Sequence, residues 1–405
     1  MSGVPQALEG VTVVEFGGYA AGPWIGKVLA NFGAKVVHVE SRDRPDGFRL
    51  QYPPYKDGKI GINRSGCFSY FNDSKYAVTL DVKKPGGVEL ARRLTDWCDI
   101  LIENMRPGVM ARIGLGYEVV KETNADIIWL SSCNMGQTGP RAPTGGFGSQ
   151  LSALAGFSGL TGEADGSPML LYGPYIDFVA ALVSAPAVLA ALDRRKRTGE
   201  GAYFDVAQYE CGLTFIAGAL FDYHANGNIA ERAGNDDPVA APHGAYRCRD
   251  EGWLAVSCWS DDEFARLAPA VGRPEWADDP RFADAAKRRR NIAALDDGLK
   301  AWSAPLDAGE AAAALQGARV HAYRVNTMAD LFSDPGLGHR RTWRVRRHGE
   351  IDDQAYYFPG FDLSETPGDV PGPAPLLGHD NDIVFREFLG LTEEEYATHV
   401  ANGVI

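Results

Sequence analysis

The feature that most constrains this fold is the regular alternation of short β-branched runs with helical patterns over the first 130 residues. Runs with strand character occupy residues 11–16, 35–40, 76–81, 99–103 and 126–132. One helical pattern begins at Trp24, and a second covers residues 85–97. When strands and helices alternate in this way, the strands pair in parallel and the helices cross over between them. The sequence therefore predicts an α/β fold built on a parallel sheet.

The pattern changes after this alternating region. A long helix is predicted from Asp177 to the basic run that ends at Arg197, and the segment 225–242, rich in glycine, asparagine and proline, interrupts the periodicity. A hairpin pattern at 243–258 follows. Further helical patterns lie at 261–271, 291–302, 308–315 and 393–401. We predict a large domain over 1–222, a smaller α+β domain over 223–332, and a segment 333–405 that returns to the large domain.

Composition and charge exclude several classes of partner. Forty lysines and arginines against 53 acidic residues give a net charge of −13, the wrong sign for a protein that binds nucleic acid. The apolar stretch 178–192 is shorter than the roughly 20 residues that span a bilayer, so it predicts a buried helix and no membrane partner. The N-terminus has neither a basic start nor an apolar signal core, which predicts a cytoplasmic location.

No motif for a metal or a tightly bound cofactor is present. The six cysteines lack CxxC and CxH spacing and the eight histidines are dispersed, so we predict neither a metal site nor a disulfide framework. The residues after the first strand, Phe16–Pro23, do not match the dinucleotide fingerprint. Pro23 and Trp24 stand where a phosphate-binding loop needs Lys and Ser or Thr. A nucleotide-like ligand bound in another way stays open.

One carboxylate stands out next to a glycine-rich region. Residues 136–173 are rich in Gly, Ser, Thr and Pro, which predicts loops that wrap closely around a ligand. Asp177 follows them and precedes the long apolar helix, the pattern of an ordinary helix N-cap. A helix N-terminus lowers a carboxylate pKa and keeps the group ionised. Asp177 is therefore a structural cap that could also act as a nucleophile.

Several motifs occur together along the chain. They are LEGVTVVEF at 8–16, AGP at 21–23, GAKVVHVE at 33–40, IENMRPG at 102–108, GQTGP at 136–140, RTGEG at 197–201, DPRF at 279–282 and PAPLLGH at 373–379. This set resembles the family III coenzyme A transferases, the group of formyl-CoA and carnitine CoA transferases. The resemblance implies a Rossmann-like large domain with a smaller domain. It also implies two ring-like chains interlocked as a dimer, with the active site at the domain and subunit boundary.

The resemblance places the family's nucleophilic aspartate on Asp177. It implies that this carboxylate attacks an acyl-CoA, forms a mixed anhydride and then an aspartyl-CoA thioester, and passes CoA to a free carboxylic acid. The donor would be an acyl-CoA such as succinyl-CoA, and coenzyme A would be substrate and product rather than a bound cofactor. Water must be excluded because each intermediate hydrolyses irreversibly.

The resemblance also assigns residues that contact CoA. The family's CoA-contacting segments fall on Ala20, Ala21, Arg42, Lys75, Asn104, Met105 and Arg112, and Arg106 is an adjacent candidate. The alternative for Arg42, and less so for Lys75, is a solvated surface cation. The segment Arg232–Pro238 lacks the glycine run of the member that acts on formate and oxalate, which disfavours a very small acid. A partly aromatic pocket for an aryl- or alkyl-substituted succinate is predicted from Trp24, Phe147, Tyr172 and Tyr175.

Two alternatives remain at this point. The α-methylacyl-CoA racemase resembles the same large domain, but it carries a His-Asp pair where this chain has Phe147 and Gly148, and Phe147 cannot move a proton. A noncatalytic subunit is the second alternative, and the intact Asp177 argues against it. A homodimer is expected, while some members resemble two-subunit enzymes, so a heterodimer with a related subunit stays open.

Overall fold

The computed structural model describes residues 5–405 and divides them into two compact units. The large unit comprises the described residues up to Phe157 together with Leu170–Gly227 and Pro335–Ile405. The small unit comprises Ser158–Met169 and Asn228–Asp334. The boundaries expected after residues 222 and 332 lie close to those observed at 227 and 334, and the C-terminal segment does belong to the large unit. The excursion at Ser158–Met169 was not predicted.

The large unit is built on a six-stranded sheet whose neighbouring strands are all parallel. The strands are β1 (Thr12–Phe16), β2 (Lys35–Glu40), β3 (Tyr76–Thr79), β4 (Ile100–Glu103), β5 (Ile128–Cys133) and β6 (Ala202–Ala207), in the spatial order β3-β2-β1-β4-β5-β6. The predicted parallel α/β sheet is confirmed, with β6 as the strand that sequence reasoning missed. Every residue of β4 and β5 is buried, as expected for a parallel sheet covered on both faces.

Helices lie along the whole chain. The α-helices are α1 (Ala21–Asn31), α2 (Gly47–Leu50), α3 (Gly66–Asn72), α4 (Pro85–Trp97), α5 (Val109–Arg112), α6 (Tyr117–Lys121), α7 (Gly148–Leu154), α8 (Phe157–Leu160), α9 (Tyr175–Thr198), α10 (Gln208–Leu213), α11 (Ala217–Asn226), α12 (Asp261–Ala270), α13 (Ala285–Arg290), α14 (Ile292–Ser303), α15 (Ala308–Gly317), α16 (Met328–Ser333), α17 (Pro335–His339) and α18 (Glu393–Ala401). Short 3₁₀ turns lie at Lys56–Gly58, Thr214–Ile216 and Pro274–Ala277, and a π-helical turn at Ile383–Phe388.

Alternating side chains of β1 reach two different cores. Val14 packs in one core with Leu90 and Leu94 of α4, whereas Val13 packs in another with residues of α1 and α9 such as Ile25 and Val188. Successive side chains of a strand point to opposite faces of the sheet. Helices α1 and α9 therefore cover one face of the sheet, and α4 covers the other.

Helix α9 is longer than predicted, because it begins at Tyr175 rather than Asp177 and continues to Thr198, where Gly199 ends it with φ 70°. Its 24 residues are long and apolar enough to cross a bilayer by length and composition alone, so the 15-residue argument was too restrictive. Its inner face nevertheless packs against the sheet through residues such as Ala181 and Leu192. This inner packing identifies α9 as a core helix of the large unit.

The small unit has its own core and its own sheet. Strands β7 (His243–Arg247) and β8 (Trp253–Ser257) form the predicted antiparallel hairpin, and β9 (His321–Arg324) pairs with β8. Residues of α12, α14 and α15 pack on this sheet, including Leu267, Leu295 and Leu315. The predicted α+β character is therefore confirmed. In the large unit's C-terminal segment, β10 (Trp343–His348) and β11 (Asp352–Tyr357) form a hairpin where the sequence indicated mostly loop.

Candidate active site

Two cavities lie in the large unit at the edge where the parallel strands end. The first, about 710 Å³, is lined by residues that follow the strands, including Gly17–Tyr19 after β1 and Ser41 after β2; we call it the strand-end cavity. The second, about 320 Å³, contains Asp177; we call it the Asp177 cavity. Ligands of open α/β sheets bind beyond the carboxyl ends of the strands, where the strand order reverses. In this sheet the reversal lies between β1 and β4.

Asp177 is the third residue of α9 and does not cap it. The preceding Pro174 occupies the N-cap position, and the Asp177 backbone N–H donates to the Pro174 carbonyl at 3.1 Å. The expected cap role is therefore wrong, because α9 starts two residues earlier than the sequence indicated. The Asp177 side chain is instead directed into the cavity wall, where its Oδ2 atom is buried and has no hydrogen-bond partner.

Burial raises the pKa of the Asp177 carboxyl to about 7. The expectation that the helix N-terminus would keep this pKa low was also wrong, since loss of solvation outweighs both the helix dipole and the one hydrogen bond from the Asp177 backbone N–H. A carboxylate that is ionised near neutral pH but poorly solvated is a better nucleophile than one in water. The surroundings of Asp177 therefore favour covalent chemistry.

Gly148, the first residue of α7, lies directly against this carboxylate. A Cβ atom at Gly148 would overlap Asp177 Oδ2 and would lie 2.9 Å from the Cα of Pro174. Only a residue without a side chain allows such close packing. The helices α7 and α8 also correct the expectation that 136–173 is entirely loop, because α7 supplies the surface on which Asp177 lies.

The remaining wall of the Asp177 cavity is polar. Asn134 donates through Nδ2 to the carbonyl of Gly146 at 2.8 Å and holds the loop before α7. Gln208 donates through Nε2 to the carbonyl of Ser132 at 3.1 Å. The positively charged residue Arg106 lies on the same wall. An anionic ligand beside Asp177 would therefore meet one cation and two ordered amides, none of which contacts the Asp177 carboxylate.

The turn Gly17–Tyr19 separates the two cavities and is clamped from both sides. Asn104 donates from Nδ2 to the Gly18 carbonyl at 2.7 Å and accepts through Oδ1 from the Gly18 N–H at 3.1 Å. On the other side Asp46 Oδ1 accepts from the Tyr19 N–H at 3.0 Å. Tyr19 has φ 64°, a left-handed conformation that costs roughly 1–3 kcal/mol in a residue with a side chain. The clamp maintains this strained conformation.

Residues 8–381 match the model of the CoA-transferase family III. The chain belongs to this family. A succinyl-CoA–D-citramalate CoA-transferase of Chloroflexus aurantiacus is 34% identical over 401 residues, which cover 99% of this chain and 98% of that protein. A succinate–glutarate CoA-transferase of Agrobacterium fabrum is 30% identical over 385 residues, which cover 94% of this chain and 95% of that protein. The predicted family and the predicted enzyme class, CoA-transferase, are confirmed.

Solved structures of this family share the fold. The crystal structure of a CAIB/BAIF family protein from Brucella suis has a TM-score of 0.87 and 30% identity, and the match covers 95% of this chain and 100% of that one. The crystal structure of Rv3272 from M. tuberculosis has a TM-score of 0.80 and 25% identity, and the match covers 94% of this chain and 99% of that one. The parallel sheet with its smaller antiparallel sheets is thus a family III architecture.

Four residues selected from the sequence line the cavities, three from the motif IENMRPG and one from the predicted aromatic pocket. Asn104 and Met105 border both cavities, while Arg106 and Phe147 line the Asp177 cavity. Asn104 uses both ends of its amide on Gly18, so it acts on the turn rather than directly on a ligand. The motif IENMRPG thereby places residues at both cavities, which agrees with its position directly after β4.

Other residues that the resemblance to family III assigned to CoA binding do not line either cavity. Ala20 and Ala21 are buried at the start of α1 and line neither cavity, although the three residues before them do line the strand-end cavity. Arg42 and Arg112 are exposed and line neither cavity; Arg112 donates to the Pro107 carbonyl at 3.4 Å. Arg44, which the sequence analysis did not select, contributes a cation to the strand-end cavity.

Lys75 is buried inside the large unit and has no free surface toward either cavity. Its Nζ lies 2.5 Å from Glu15 Oε1, 2.8 Å from the Pro23 carbonyl and 2.9 Å from Asn72 Oδ1. Burial alone would raise the pKa of Glu15, but Lys75 and His38 outweigh burial and lower that pKa. These contacts contradict both sequence-based interpretations of Lys75, as a CoA contact and as a surface cation.

The aromatic residues assigned to the acceptor pocket are dispersed. Trp24 is held between Tyr70, stacked at 5.5 Å, and Phe178, edge-on at 5.0 Å, so it serves as packing. Tyr172 is fully exposed, and Tyr175 lies against Phe157 with ring centroids 5.5 Å apart. Of the four predicted rings only Phe147 lines the Asp177 cavity. Tyr19, which no sequence pattern marked, supplies the second ring there.

Within residues 5–405 no group of three or more His, Cys, Asp or Glu side chains is placed to hold a metal ion. The six cysteines are all free thiols. One of them, Cys133, lines the Asp177 cavity, where burial raises its pKa to about 12. That shift keeps the thiol protonated, so Asp177 is the better nucleophile of the two at neutral pH.

Proposed function

We propose that this chain transfers CoA from an acyl-CoA donor to a free carboxylic acid with Asp177 as the nucleophile. The observation that carries the proposal is a carboxylate whose Oδ2 atom is buried without a hydrogen-bond partner, on the wall of a cavity that shares lining residues with a much larger one. Succinyl-CoA is proposed as donor because relatives are named for succinyl-CoA with D-citramalate, L-malate and mesaconate.

The proposed reaction keeps the energy of the thioester throughout. An Asp177 carboxylate oxygen attacks the thioester carbon, the C–S bond breaks, and CoA thiolate leaves a mixed anhydride. The thiolate then attacks the aspartyl carbonyl, which gives an aspartyl-CoA thioester and releases the donor acid. The acceptor carboxylate repeats both steps in reverse order and leaves as the new acyl-CoA, with Asp177 restored. No ATP is needed because each step exchanges one activated carboxyl for another.

The acceptor is proposed to be a small substituted dicarboxylic acid, such as an alkyl-substituted succinate. Arg106 is the cation on the wall of the Asp177 cavity and would pair with the carboxylate that does not react. Phe147, 54% exposed, offers an apolar surface to the acid's substituent. An aryl substituent has less support than the sequence indicated, since Trp24, Tyr172 and Tyr175 lie elsewhere.

The nucleotide end of CoA is proposed to occupy the strand-end cavity. The Asp177 cavity, about 320 Å³, is near the lower limit for a drug-sized ligand, and a CoA thioester is larger than that. The strand-end cavity adjoins it through Tyr19, Asn104 and Met105 and offers the Arg44 cation. CoA bound in this way would present its thioester to Asp177.

A racemase has less support from this geometry. Inverting an α-carbon needs a second base opposite the first. Among the described residues that line the Asp177 cavity there is no histidine, and Phe147 occupies the position where the racemase carries one. The transferase proposal needs no second base, so it is preferred.

We propose a homodimer as the working form. Exposed apolar side chains follow the outer face of α9 and continue on α11, among them Leu182, Val183, Leu189, Phe221 and Tyr223. An apolar surface of this kind is characteristic of a protein interface. A second copy of the chain would cover it. The L-malate CoA-transferase relatives are named as alpha and beta subunits, so a related subunit is the alternative occupant.

The test is an exchange assay with succinyl-CoA or acetyl-CoA and a panel of mono- and dicarboxylic acids, with mass detection of new thioesters. We expect transfer to one or more dicarboxylic acids. Hydroxylamine added during turnover should modify Asp177 alone, because only an activated carboxyl reacts. An acyl group found on Cys133 instead, with no hydroxamate at Asp177, would replace the carboxylate mechanism. Deuterium incorporation at the α-carbon of a 2-methylacyl-CoA, without transfer to any acid, would establish the racemase.

A further inference from the structure

The two cavities share three lining residues, and we call these residues the boundary of the cavities. Tyr19, Asn104 and Met105 line both the strand-end cavity and the Asp177 cavity. If CoA binds as proposed, the arm between its nucleotide and its thioester must cross this boundary. The side chain of Asn104 is hydrogen-bonded to Gly18, so Tyr19 is the boundary residue that presents an aromatic ring beside the crossing point.

The structure holds Tyr19 in one orientation by several independent contacts. Its N–H is bound by Asp46, and its hydroxyl donates to Gln51 Oε1 at 2.7 Å. Its ring lies edge-on to Phe48, with centroids 5.4 Å apart. The left-handed φ of 64° is unusual for a residue with a side chain. Such a conformation persists only where surrounding contacts enforce it, and it is concentrated at functional sites.

Phe147 lies against Tyr19 on the side of the Asp177 cavity. The two rings meet edge-on with centroids 5.7 Å apart. Phe147 directly precedes Gly148, the residue that packs against the Asp177 carboxylate. The ring pair therefore connects the clamped turn Gly17–Tyr19 to the wall that holds the nucleophile.

We propose that Tyr19 and Phe147 form an aromatic cover at the boundary of the two cavities, which orients the thioester end of CoA and keeps water from the activated carboxyl at Asp177. The proposal rests on the CoA-transferase function proposed above and assigns it two positioning residues. The sequence analysis placed Phe147 in an aromatic acceptor pocket and did not select Tyr19.

The side reaction that the cover would prevent is hydrolysis. A water oxygen bonds to the carbonyl carbon of the aspartyl-CoA thioester, the C–S bond breaks, and CoA leaves as its thiol with a proton from that water. Asp177 is restored as a carboxylate and no acceptor is activated. In the complete reaction, hydrolysis appears as CoA released without a new thioester, so the ratio of hydrolysis to transfer reports directly on water at the site.

The experiment measures this ratio in the full-length protein with succinyl-CoA and an acid that the wild type uses. Tyr19→Ala and Phe147→Ala each remove one ring of the cover. Tyr52→Ala is the matched control, because Tyr52 also lies edge-on to Tyr19, at 6.3 Å, but lines neither cavity. Tyr19→Phe keeps the ring and removes only the hydroxyl bond to Gln51. Circular dichroism and thermal melting confirm that each variant is folded.

We expect Tyr19→Ala and Phe147→Ala to raise the ratio of hydrolysis to transfer several-fold and to lower kcat by up to about 10²-fold through misorientation. Tyr52→Ala should match the wild type, and Tyr19→Phe should lie between. If Tyr19→Ala does not fold, the ratio of hydrolysis to transfer in Phe147→Ala alone tests the cover. Phe147 is half exposed, so its replacement should not prevent folding. An unchanged ratio in the folded ring-deletion variants overturns the cover. Absence of transfer in the wild type with every acid overturns the proposed function instead.

Discussion

Two regions of the large unit bury carboxylates in opposite ways. Near the strand-end cavity, Glu15 lies 2.5 Å from Lys75, and Glu40 lies 2.7 Å from Arg49, all of them buried. In the wall of the Asp177 cavity, the Asp177 side chain is partly buried, and its buried Oδ2 atom has no hydrogen-bond partner. Burial acts to raise all three pKa values, but the neighbouring cations and hydrogen bonds lower those of Glu15 and Glu40 while that of Asp177 rises to about 7.

The difference shows that the role of a buried carboxylate depends on the groups that contact it rather than on burial itself. A carboxylate held by a lysine or an arginine is saturated with hydrogen bonds and serves the fold. A carboxylate held only by packing keeps its lone pairs available to a substrate. The comparison predicts that substitutions around Glu15 and Glu40 will change stability, whereas substitutions around Asp177 will change activity.

The largest effect is expected at Asp177. Asp177→Asn removes the proposed nucleophile and should reduce CoA transfer by on the order of 10⁶-fold, as loss of a nucleophile does in other enzymes. The protein should remain folded and bind CoA. Steady-state transfer assays and CoA titration measure both properties. Asp193→Asn, at an exposed position on the same helix, is the matched control and should keep full activity. Transfer by Asp177→Asn at a substantial fraction of the wild-type rate would remove the distinction between the two regions.

The second effect concerns stability in the other region. Lys75→Met leaves Glu15 buried without its lysine and should destabilise the protein by about 3–5 kcal/mol, the usual result of breaking a buried pair. Chemical denaturation measures the change. Lys196→Met, at an exposed position, is the control. Activity per folded molecule should be retained. A rise in KM for acyl-CoA with unchanged stability would restore the sequence-based assignment of Lys75 as a CoA contact.

The third effect tests the packing that holds Asp177. In Gly148→Ala the new methyl group overlaps the Asp177 carboxylate, so the carboxylate must move and kcat should fall by about 10²-fold with little change in KM. Gly309→Ala provides the control, because a methyl group added to that helical glycine would meet no neighbouring atom within 4 Å. Normal kcat in folded Gly148→Ala would show that the close approach is not needed for catalysis.

The smallest effect is a pH dependence of stability. The Asp177 pKa is raised from an unfolded value near 3.8 to about 7, so the folded state binds the proton more tightly. Its contribution favours folding below the unfolded pKa and is lost as the pH rises toward 7. Asp177→Asn removes this dependence, so the Tm of the variant minus the Tm of the wild type should increase from pH 4 to pH 8. A constant difference in Tm would contradict the raised pKa.

Much of the sheet and its helices could be predicted because their signals are local. The bounds of β2, α4 and α18 match the predicted ranges, since each combines clear periodicity with a turn, a proline or a capping residue at its ends. Strand β6 and the β10–β11 hairpin were missed. Both carry polar and charged residues on an exposed face, which weakens the apolar pattern that marks a strand.

Local sequence patterns were sufficient for the α/β sheet, the division near residues 222 and 332, and the position of Asp177 between a glycine-rich region and a long helix. The environment of each charged or aromatic side chain depends instead on contacts between distant parts of the chain. Lys75 and Glu15 are 60 positions apart, and Tyr19 and Phe147 are farther apart still, yet each pair is in contact. Local propensity carries no information about such pairs, whereas the pKa of Asp177, the clamp on Tyr19 and the packing of Trp24 all depend on them.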